Sequence, residues 1–600
     1  MHPFPPDFRF GVATADHQCE AYDGRDDIRD VWEREQELTP RGRATDFWNR
    51  YPEDVELARG LGCTAFRLSL AWARLEPAEG VWDEEAFAHY RDVLGTMRAA
   101  GMATVVTLHH NTWPVHVQAL GGGAGMLDPR FPDRLAAYAG EVAERLGDRI
   151  DYYVTLNEPN QLLYGFVKPW FMRTYAMPPG LGPHATSEEQ MEALLALIPN
   201  LFLAHARARA AIRRVRPAAR VGSNPLVLGL PRWLQRLVDR AATRLKSADD
   251  LRAQAKRLSQ SQILDSGRVD LTIAQLEPTQ ERMTHVLFSK PYARGYAVAV
   301  ALGSHTLLNV VNAAVRELWQ RGTPSEPARR RLDASVEAIV RRGTLRVGVR
   351  ASPGVCMRTA SGEYEGLEPD LARSIARRIF GDVEPKVEFV PLDGEERIDA
   401  TRSWRRRFDG FRKAISMFAT ILGTNWWNLG MAGRLAQFLC PAECVGALDY
   451  VGFDYYWGVP SLRPSQLERL FDAAQCRYAR APVWPNILHD ILCEQHEDFP
   501  GKPIVVIENG CVTSADDVTR AEYIARHLAN VQRAAIDGVP IDAYLCWSIT
   551  SNREWGLPFD GNSDFGLYHI DLDTDPNLTR VATAASARYA QIISRRSAFS

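Results

Sequence analysis

The sequence lacks the cysteine patterns of a metal-binding or disulfide-rich domain. Its nine cysteines form no CxxC pair and no cluster with histidine at metal-ligand spacing, which argues against a structural zinc site. Their number is odd and they are scattered along the chain, a distribution that fits reduced thiols in a cytoplasm. We therefore expect no metal and a cytoplasmic protein.

A strong charge bias and long apolar runs are lacking as well. The formal net charge is −3 over 600 residues, so nothing global indicates a nucleic-acid partner. The N-terminus does not have the basic and then apolar segments of a signal peptide. The most apolar later stretches, 296–311 and 415–439, are interrupted by polar residues and offer no run of about 18 apolar residues. We predict neither nucleic-acid binding nor a membrane span.

What the sequence does contain is an apolar strand followed by a polar side chain and a chain-breaking residue. The run 504–507 is β-branched throughout, as is typical of a strand buried on both faces of a parallel sheet. Glu508 follows it, just before Asn509-Gly510. The run 152–157 leads in the same way to Glu158 and Pro159. Two glutamates at the ends of two parallel strands are what glycoside hydrolysis requires.

The strand-then-helix unit occurs eight times along the chain. The strands are predicted at 8–14, 65–69, 103–110, 152–158, 220–223, 449–456, 503–508 and 541–548. Eight such units predict an α/β fold, a (β/α)₈ TIM barrel with its site at the carboxyl ends of the strands. Arg67 lies inside one of the apolar strands, and a buried guanidinium needs a carboxylate partner.

Motifs with chemistry stand at these strand ends. They are Gln18 with Glu20, Phe66-Arg67-Leu68-Ser69, Thr107-Leu108 with His110, Thr155-Leu156-Asn157-Glu158-Pro159, Tyr455-Tyr456, Glu508-Asn509-Gly510, and Trp547-Ser548 with Glu554-Trp555. In this order they resemble glycoside hydrolase family 1, the β-glucosidase family. The resemblance implies a retaining β-glycosidase without a cofactor, with Glu158 as the general acid/base, Glu508 as the nucleophile, and Arg67 and Tyr456 supporting Glu508. It also implies that sugar is bound by Gln18, His110, Asn157, Trp547, Glu554 and Trp555.

Two positions refine this expectation. In the phospho-glycosidase branch of the family a serine stands where this chain has Glu554, and a carboxylate would repel a sugar phosphate, so the substrate is expected to be unphosphorylated. Asp454 stands where the family has asparagine. An ionised Asp454 beside Glu508 would make the ionisation of Glu508 harder. The sequence therefore predicts that Asp454→Asn moves the acidic limb of the pH–rate profile to lower pH.

More chain lies between the fifth and sixth strands than a barrel needs. Strands at Leu345–Val349 and Val387–Val390, with a helix between them, resemble the beginning of a bacterial family 3 solute-binding protein of the amino-acid type. Val269–Ile273 and Phe288–Tyr292 resemble what normally follows that beginning. The insertion is therefore predicted to be one circularly permuted α/β lobe with these three strands as parallel neighbours. The predicted domains are 1–232 and 401–600 for the barrel and 233–400 for the lobe.

The resemblance of the lobe leaves its role open. Arg282 occupies the place of an arginine that binds the ligand's carboxylate in that family, but it can equally be a solvated or salt-bridged helix residue. A single lobe also lacks the closure that retains a ligand. Two other functions stay open for the whole chain. One is a transglycosidase that uses an acceptor other than water, and the other is a low-turnover barrel whose lobe binds a small ligand or a protein partner.

Overall fold

The computed structural model describes residues 3–162, 187–233, 249, 271–276, 295–300, 339–349, 356–359, 362–380, 386–391, 439–461, 463–474, 476–555, 559–561 and 563–599. These residues belong to two compact units, one holding the barrel strands and the other the sheet of the insertion. No helix in the described ranges is long and apolar enough to cross a membrane.

The larger unit is a parallel barrel. Its strands are Arg9–Ala13, Ala65–Ser69, Ala103–His109, Tyr152–Asn157, Arg220–Asn224 with Leu226–Gly229, Val451–Gly458, Ile504–Asn509 and Ile541–Cys546, hereafter strands 1 to 8. Each pairs in parallel with the next, and strand 8 pairs with strand 1. The predicted (β/α)₈ barrel is confirmed.

The ring closes through a fifth strand that is split at Pro225. Its first part, Arg220–Asn224, pairs with strand 4, and its second part, Leu226–Gly229, pairs with strand 6. Proline carries no backbone N–H and interrupts a sheet ladder. The sequence analysis predicted only the first part of this strand. Because of the split, the fifth strand pairs with both strand 4 and strand 6.

Helices cover the outside of the barrel. The longer ones are Ile28–Glu35, Phe47–Leu61, Glu84–Ala99, Phe131–Leu146, Ser187–Val215, Pro464–Ala474, Ile487–Asp498, Arg520–Ile536 and Ala584–Arg595. Single turns follow several strands at Asp16–Cys19, Trp72–Leu75, Val115–Gln118, Leu120–Gly123 and Pro159–Leu162. Apolar side chains of five strands, among them Val105, Val154, Val505 and Leu545, form a cluster inside the barrel. The barrel is thus a packed core with its polar residues at the strand ends.

The smaller unit contains a four-stranded sheet in the order Lys386–Pro391, Thr344–Val349, Leu271–Leu276, Gly295–Val300. The first three strands are parallel and the last is antiparallel. Helix Leu367–Phe380 packs against it through Ala372, Ile375 and Ala376. The strands predicted at Leu345–Val349, Val387–Val390 and Val269–Ile273 are therefore parallel neighbours in one sheet. Of the last of these, only residues 271–273 are among the described residues. The domain bounds stay a prediction.

Candidate active site

Glu508 ends strand 7 and is held by two donors from other strands. Arg67 of strand 2 donates from Nη1 to one carboxyl oxygen, and the Tyr456 hydroxyl of strand 6 donates to the other at 2.6 Å. Arg67 is completely buried and Glu508 is 4 % exposed. The buried guanidinium therefore has the carboxylate partner that the sequence analysis required, and charge-assisted hydrogen bonds of this kind favour the ionised carboxylate.

Glu158 follows strand 4 and faces Glu508. One carboxyl oxygen of Glu158, one of Glu508 and one of Asp454 lie within 4.8 Å of one another. Burial and the Glu508 carboxylate raise the pKa of Glu158 well above its usual range, against the opposing effect of Arg67. The two glutamates therefore have different surroundings, since Arg67 and Tyr456 hydrogen-bond to Glu508 whereas burial and a neighbouring carboxylate favour the neutral form of Glu158.

An amide chain links Arg67 to Asp454. Arg67 Nη2 donates to Asn157 Oδ1 at 2.6 Å, and Asn224 Nδ2 donates both to that oxygen at 2.7 Å and to Asp454 Oδ2 at 2.6 Å. Asn224 was missed by the sequence analysis, although it has the same signal as the others, since it is a polar residue at a strand end before the breaker Pro225.

The opposite wall of the pocket is centred on Glu554. Its carboxyl group accepts from Gln18 Nε2 at 3.1 Å, Asn552 Nδ2 at 2.9 Å and Trp547 Nε1 at 3.3 Å. Burial raises the pKa of Glu554 to about 7. Gln18 Oε1 is buried and has no hydrogen-bond partner among the described residues. This wall can therefore offer acceptors to hydroxyl groups of a bound molecule.

His110 and Trp555 complete this wall. His110 Nδ1 lies 2.7 Å from Ser69 Oγ, and burial, followed by Arg67, holds the pKa of His110 well below its usual range. The imidazole is therefore neutral and can both donate and accept a hydrogen bond. The Trp555 ring lies 5.9 Å from the His110 ring, and the buried Arg29 guanidinium stacks over Trp555 at 4.1 Å.

Aromatic side chains from strand 6 and from the segments that follow the strands form the remaining wall. Trp457 contacts Tyr456 and Tyr478 at ring distances of 5.7 and 5.9 Å, and Phe565 contacts Tyr478 at 5.5 Å. All four rings line the same pocket as the two glutamates. The sequence analysis did not identify Trp457, Tyr478 or Phe565 as site residues. Tyr478 and Phe565 lie outside the barrel strands and carry no periodic signal, whereas Trp457 directly follows Tyr456 in strand 6.

The structure thus brings ten predicted residues to the ends of the barrel strands. They are Gln18, Arg67, His110, Asn157, Glu158, Tyr456, Glu508, Trp547, Glu554 and Trp555. The eleventh, Arg282, lies outside the described residues.

Two groups of three side chains within the described ranges are close enough to hold a metal ion, namely Glu158 with Asp454 and Glu508, and His17 with Asp30 and Glu33. In the second group the donors are already engaged. His17 contacts Asp27 and Glu33, each at 2.9 Å, and Arg41 donates to Asp30 at 2.7 Å. A cation there would have to displace the histidine proton or the arginine.

Comparison with known proteins assigns the barrel to a family. The family model of glycosyl hydrolase family 1 matches residues 1–241 and 468–598, more than half of the chain. The chain belongs to glycosyl hydrolase family 1, and the predicted resemblance is confirmed. The family model of bacterial extracellular solute-binding proteins, family 3, matches residues 239–336, between those two parts.

Individual relatives agree with this assignment. The chain is 35 % identical over 228 residues to a β-glucosidase of Agrobacterium sp., a match that covers 36 % of this chain and 46 % of the relative. It is 24 % identical over 605 residues to a bifunctional β-D-glucosidase/β-D-fucosidase of Bifidobacterium breve, covering 96 % of each. The match thus spans about half the length of the first relative and nearly all of the second.

Solved structures show the same fold. The family 1 β-glucosidase of Thermotoga maritima matches with a TM-score of 0.53 at 18 % identity, covering 100 % of this chain and 99 % of that one. The AHE enzyme of Alicyclobacillus herbarius matches with a TM-score of 0.54 at 20 % identity and covers 99 % of each chain.

Proposed function

We propose that this protein is a retaining β-glycosidase that acts on unphosphorylated β-glucoside-like substrates. The proposal is carried by one distance, since a carboxyl oxygen of Glu158 and one of Glu508 lie within 4.8 Å of each other. Retaining glycosidases hold their two carboxyl groups about 5–5.5 Å apart, whereas inverting enzymes leave about 6.5–9.5 Å for a water molecule. The short separation supports a double displacement.

In the first step Glu508 attacks the anomeric carbon, and the bond from that carbon to the leaving oxygen breaks. Glu158 gives its proton to the leaving oxygen, so the leaving group departs as a neutral alcohol. The hydrogen bonds from Arg67 and Tyr456 support this assignment, because they keep Glu508 ionised until it attacks. The raised pKa of Glu158 supports its role as the acid.

In the second step a water molecule attacks the anomeric carbon of the glycosyl-enzyme. Glu158, now ionised, takes one proton from that water, and Glu508 leaves as a carboxylate. Esterification of Glu508 has removed its negative charge in the meantime. Since the Glu508 charge is one cause of the raised pKa of Glu158, that pKa falls in the intermediate, as a base requires.

The pocket walls support the proposed substrate class. Gln18, His110 and Glu554 present hydrogen-bonding atoms to the same cavity as the catalytic pair, which suits the hydroxyl groups of an unmodified sugar. Above its pKa of about 7 Glu554 is a carboxylate and repels a sugar phosphate. The aromatic wall of Tyr456, Trp457, Tyr478 and Phe565 would stack on the apolar face of a sugar or an aglycone.

The experiment is a pair of substitutions with an exposed control. Glu508→Gln should lower kcat/KM on a chromogenic β-glucoside by more than about 10³-fold, while Glu56→Gln, whose carboxylate is 61 % exposed, should change nothing. Glu158→Gln should spare only substrates with very good leaving groups, because these need no proton. NMR of the first-formed sugar should show the β-anomer. An α-anomer, or full activity in Glu508→Gln, would disprove the mechanism.

The match of residues 239–336 to solute-binding proteins favours a second candidate function, in which the lobe binds a small ligand or a partner. We place ligand binding by Arg282 second, because a single lobe leaves a ligand half exposed. Isothermal titration with a panel of amino acids tests it. Tight binding that disappears in Arg282→Ala would establish this function.

Transglycosylation shares every proposed catalytic residue with hydrolysis. The aromatic wall would suit an organic acceptor as well as an aglycone. Measuring the yield of transfer product against free sugar, with increasing alcohol acceptor, separates the two. Transfer that dominates at low acceptor concentration would make the protein a transglycosidase, and free sugar as the main product would support hydrolysis.

A further inference from the structure

Asp454 lies directly beside Glu508 in the barrel wall. The two residues are paired across strands 6 and 7, at a point where the register shifts after Phe453. Asp454 is completely buried. Its Oδ2 accepts from Asn224 Nδ2, while its Oδ1 has no hydrogen-bond partner within the described part of the chain.

The charged and titratable groups around Asp454 come from four strands. They are Glu508 of strand 7, Glu158 after strand 4, Arg67 of strand 2, and Tyr456 and Tyr450 in or next to strand 6. Three carboxyl groups thus face a single guanidinium, and that guanidinium is hydrogen-bonded to Glu508 and Asn157. Three carboxyl groups within 4.8 Å of one another, two of them buried and with one cation beside them, disfavour one another's ionisation, so protons remain in the cluster.

We infer that Asp454 is a third proton-carrying carboxyl group of the catalytic centre. It is neutral in the active enzyme, in which Glu508 is ionised. When Asp454 ionises at higher pH, its charge keeps the proton on Glu158. The inference rests on the proposed roles of Glu158 and Glu508. Asp454 acts through Glu158 and is therefore a positioning residue rather than a catalytic one.

The protonation order follows from burial and charge. Burial, then Glu508, then Glu158 raise the pKa of Asp454 well above its usual range, against Arg67 and the Asn224 hydrogen bond. The sequence-based expectation of a displaced acidic limb assumed that Asp454 is ionised. A neutral Asp454 exerts no charge on Glu508, so the acidic limb should not move in Asp454→Asn.

The alkaline limb should move instead. As the pH rises, the cluster loses its next proton from Asp454 or from Glu158. Loss from Asp454 puts a second negative charge within 4.8 Å of Glu158, which raises the pKa of Glu158 and keeps the general acid protonated to higher pH. Asparagine cannot ionise, so the variant lacks this protection and loses activity at lower pH than the wild type does.

The test is the pH profile of kcat/KM on a chromogenic β-glucoside for the wild type and Asp454→Asn. Asparagine has the same shape, and its carbonyl can still accept from Asn224, so the fold is retained. We expect an unchanged acidic limb and an alkaline limb lowered by on the order of one pH unit. An unmoved alkaline limb, or an acidic limb that moves down, would overturn the inference.

Two comparisons sharpen the test. In a Glu158→Gln background, assayed with a good leaving group, adding Asp454→Asn should cause no further change in the alkaline limb, because the acid is already gone. Asp54→Asn removes an equally buried carboxyl group that pairs with Arg580 at 2.9 Å, and it should move neither limb. A shift in the double variant, or in Asp54→Asn, would contradict a specific role through Glu158.

A measurement that does not depend on turnover separates this inference from the proposed function. Infrared spectroscopy of the free enzyme at neutral pH should show a protonated-carboxyl stretching band that loses the contribution of one carboxyl group in Asp454→Asn, while the other neutral carboxyl groups still contribute. If this loss is seen and no glycosidase activity is found, the proposed function fails and the neutral Asp454 stands. If the band is the same in both proteins, the inference fails whatever the activity.

Discussion

Two clusters of carboxyl groups in the barrel unit differ in how far they are neutralised. The catalytic cluster contains Glu158, Asp454 and Glu508 with the single cation Arg67. The second, the His17 cluster, contains Asp27, Asp30 and Glu33 with three cationic side chains, His17, Arg29 and Arg41. The first cluster thus has two carboxyl groups more than cations, whereas the second has as many cations as carboxyl groups.

The difference in charge balance separates a reactive site from a structural one. Burial alone would lower the pKa of His17, but the charge of Asp27 and the hydrogen bonds to Asp27 and Glu33 together outweigh it and raise the pKa to about 9, so the imidazole is charged. Burial and then Asp27 raise the pKa of Asp30 to about 7. In the catalytic cluster three carboxyl groups share one cation. A cluster with more carboxyl groups than cations retains protons, whereas a cluster with equal numbers of each is held together by ion pairs and hydrogen bonds.

The largest effect is expected from removing the one cation of the catalytic cluster. Arg67→Met should lower kcat by more than about 10³-fold and the free energy of unfolding by about 3–5 kcal/mol, because Glu508 is left as an unpaired buried charge. Urea unfolding and single-turnover rates measure the two effects.

The matched control for Arg67 is Arg580, whose side chain is 1 % exposed and binds Asp54 at 2.9 Å. Arg580→Met should cost similar stability but leave kcat per folded molecule unchanged. If Arg67→Met and Arg580→Met affect kcat equally, a buried arginine of the catalytic cluster does not differ in function from one in a structural ion pair.

The residues of the catalytic cluster could be predicted from local patterns. Glu158 and Glu508 each follow an apolar run and precede a breaker, and a lone arginine in strand 2 demanded a buried acid. That Glu158 and Glu508 lie close together could be inferred only from the closure of the barrel. The His17 cluster could not be predicted, because its members stand on loops and a short helix, and their pairing is tertiary. Tyr478 and Phe565 of the aromatic wall were missed for the same reason.

Helix bounds show where local signals suffice. Helix Arg520–Ile536 begins at a capping box between Thr519 and Glu522, a signal that can be recognised in the sequence. Helix Phe47–Leu61 instead continues through Pro52. Proline argues against a helix interior, but Phe47 packs on Phe66 of strand 2 at 6.0 Å. Packing outweighs the local preference there.

The next largest effect concerns the balance of the His17 cluster. A histidine whose pKa rises from 6.5 to about 9 on folding contributes stability that is complete below about pH 6.5 and lost as the pH rises through 9. At about 1.4 kcal/mol per unit, this contribution is on the order of 3 kcal/mol. The free energy of unfolding of the wild type should therefore fall between pH 7 and 9, and His17→Gln should flatten this fall.

The control for His17 is His527, which is equally buried but whose pKa burial lowers to about 3. It is neutral across this range, so His527→Gln should leave the slope between pH 7 and 9 as it is in the wild type. Buried carboxyl groups with raised pKa values also lower the stability as the pH rises, but they do so in both proteins and cancel in the comparison. Equal slopes in wild type and His17→Gln would mean that His17 is neutral.

The smallest effect tests whether the His17 cluster supports the pocket. Trp555 lies between the two clusters, with its ring 6.3 Å from the His17 ring and 4.1 Å from the Arg29 guanidinium. Arg29→Lys keeps the charge but loses the planar stacking surface. A cation–π contact is worth about 0.5–2 kcal/mol, so KM for a β-glucoside should rise by about 2- to 30-fold. We expect kcat to stay the same, because the catalytic cluster is untouched. Arg59→Lys, at an arginine that is 58 % exposed, is the control. An unchanged KM in Arg29→Lys would mean that Trp555 is held without the guanidinium and that the two clusters are independent.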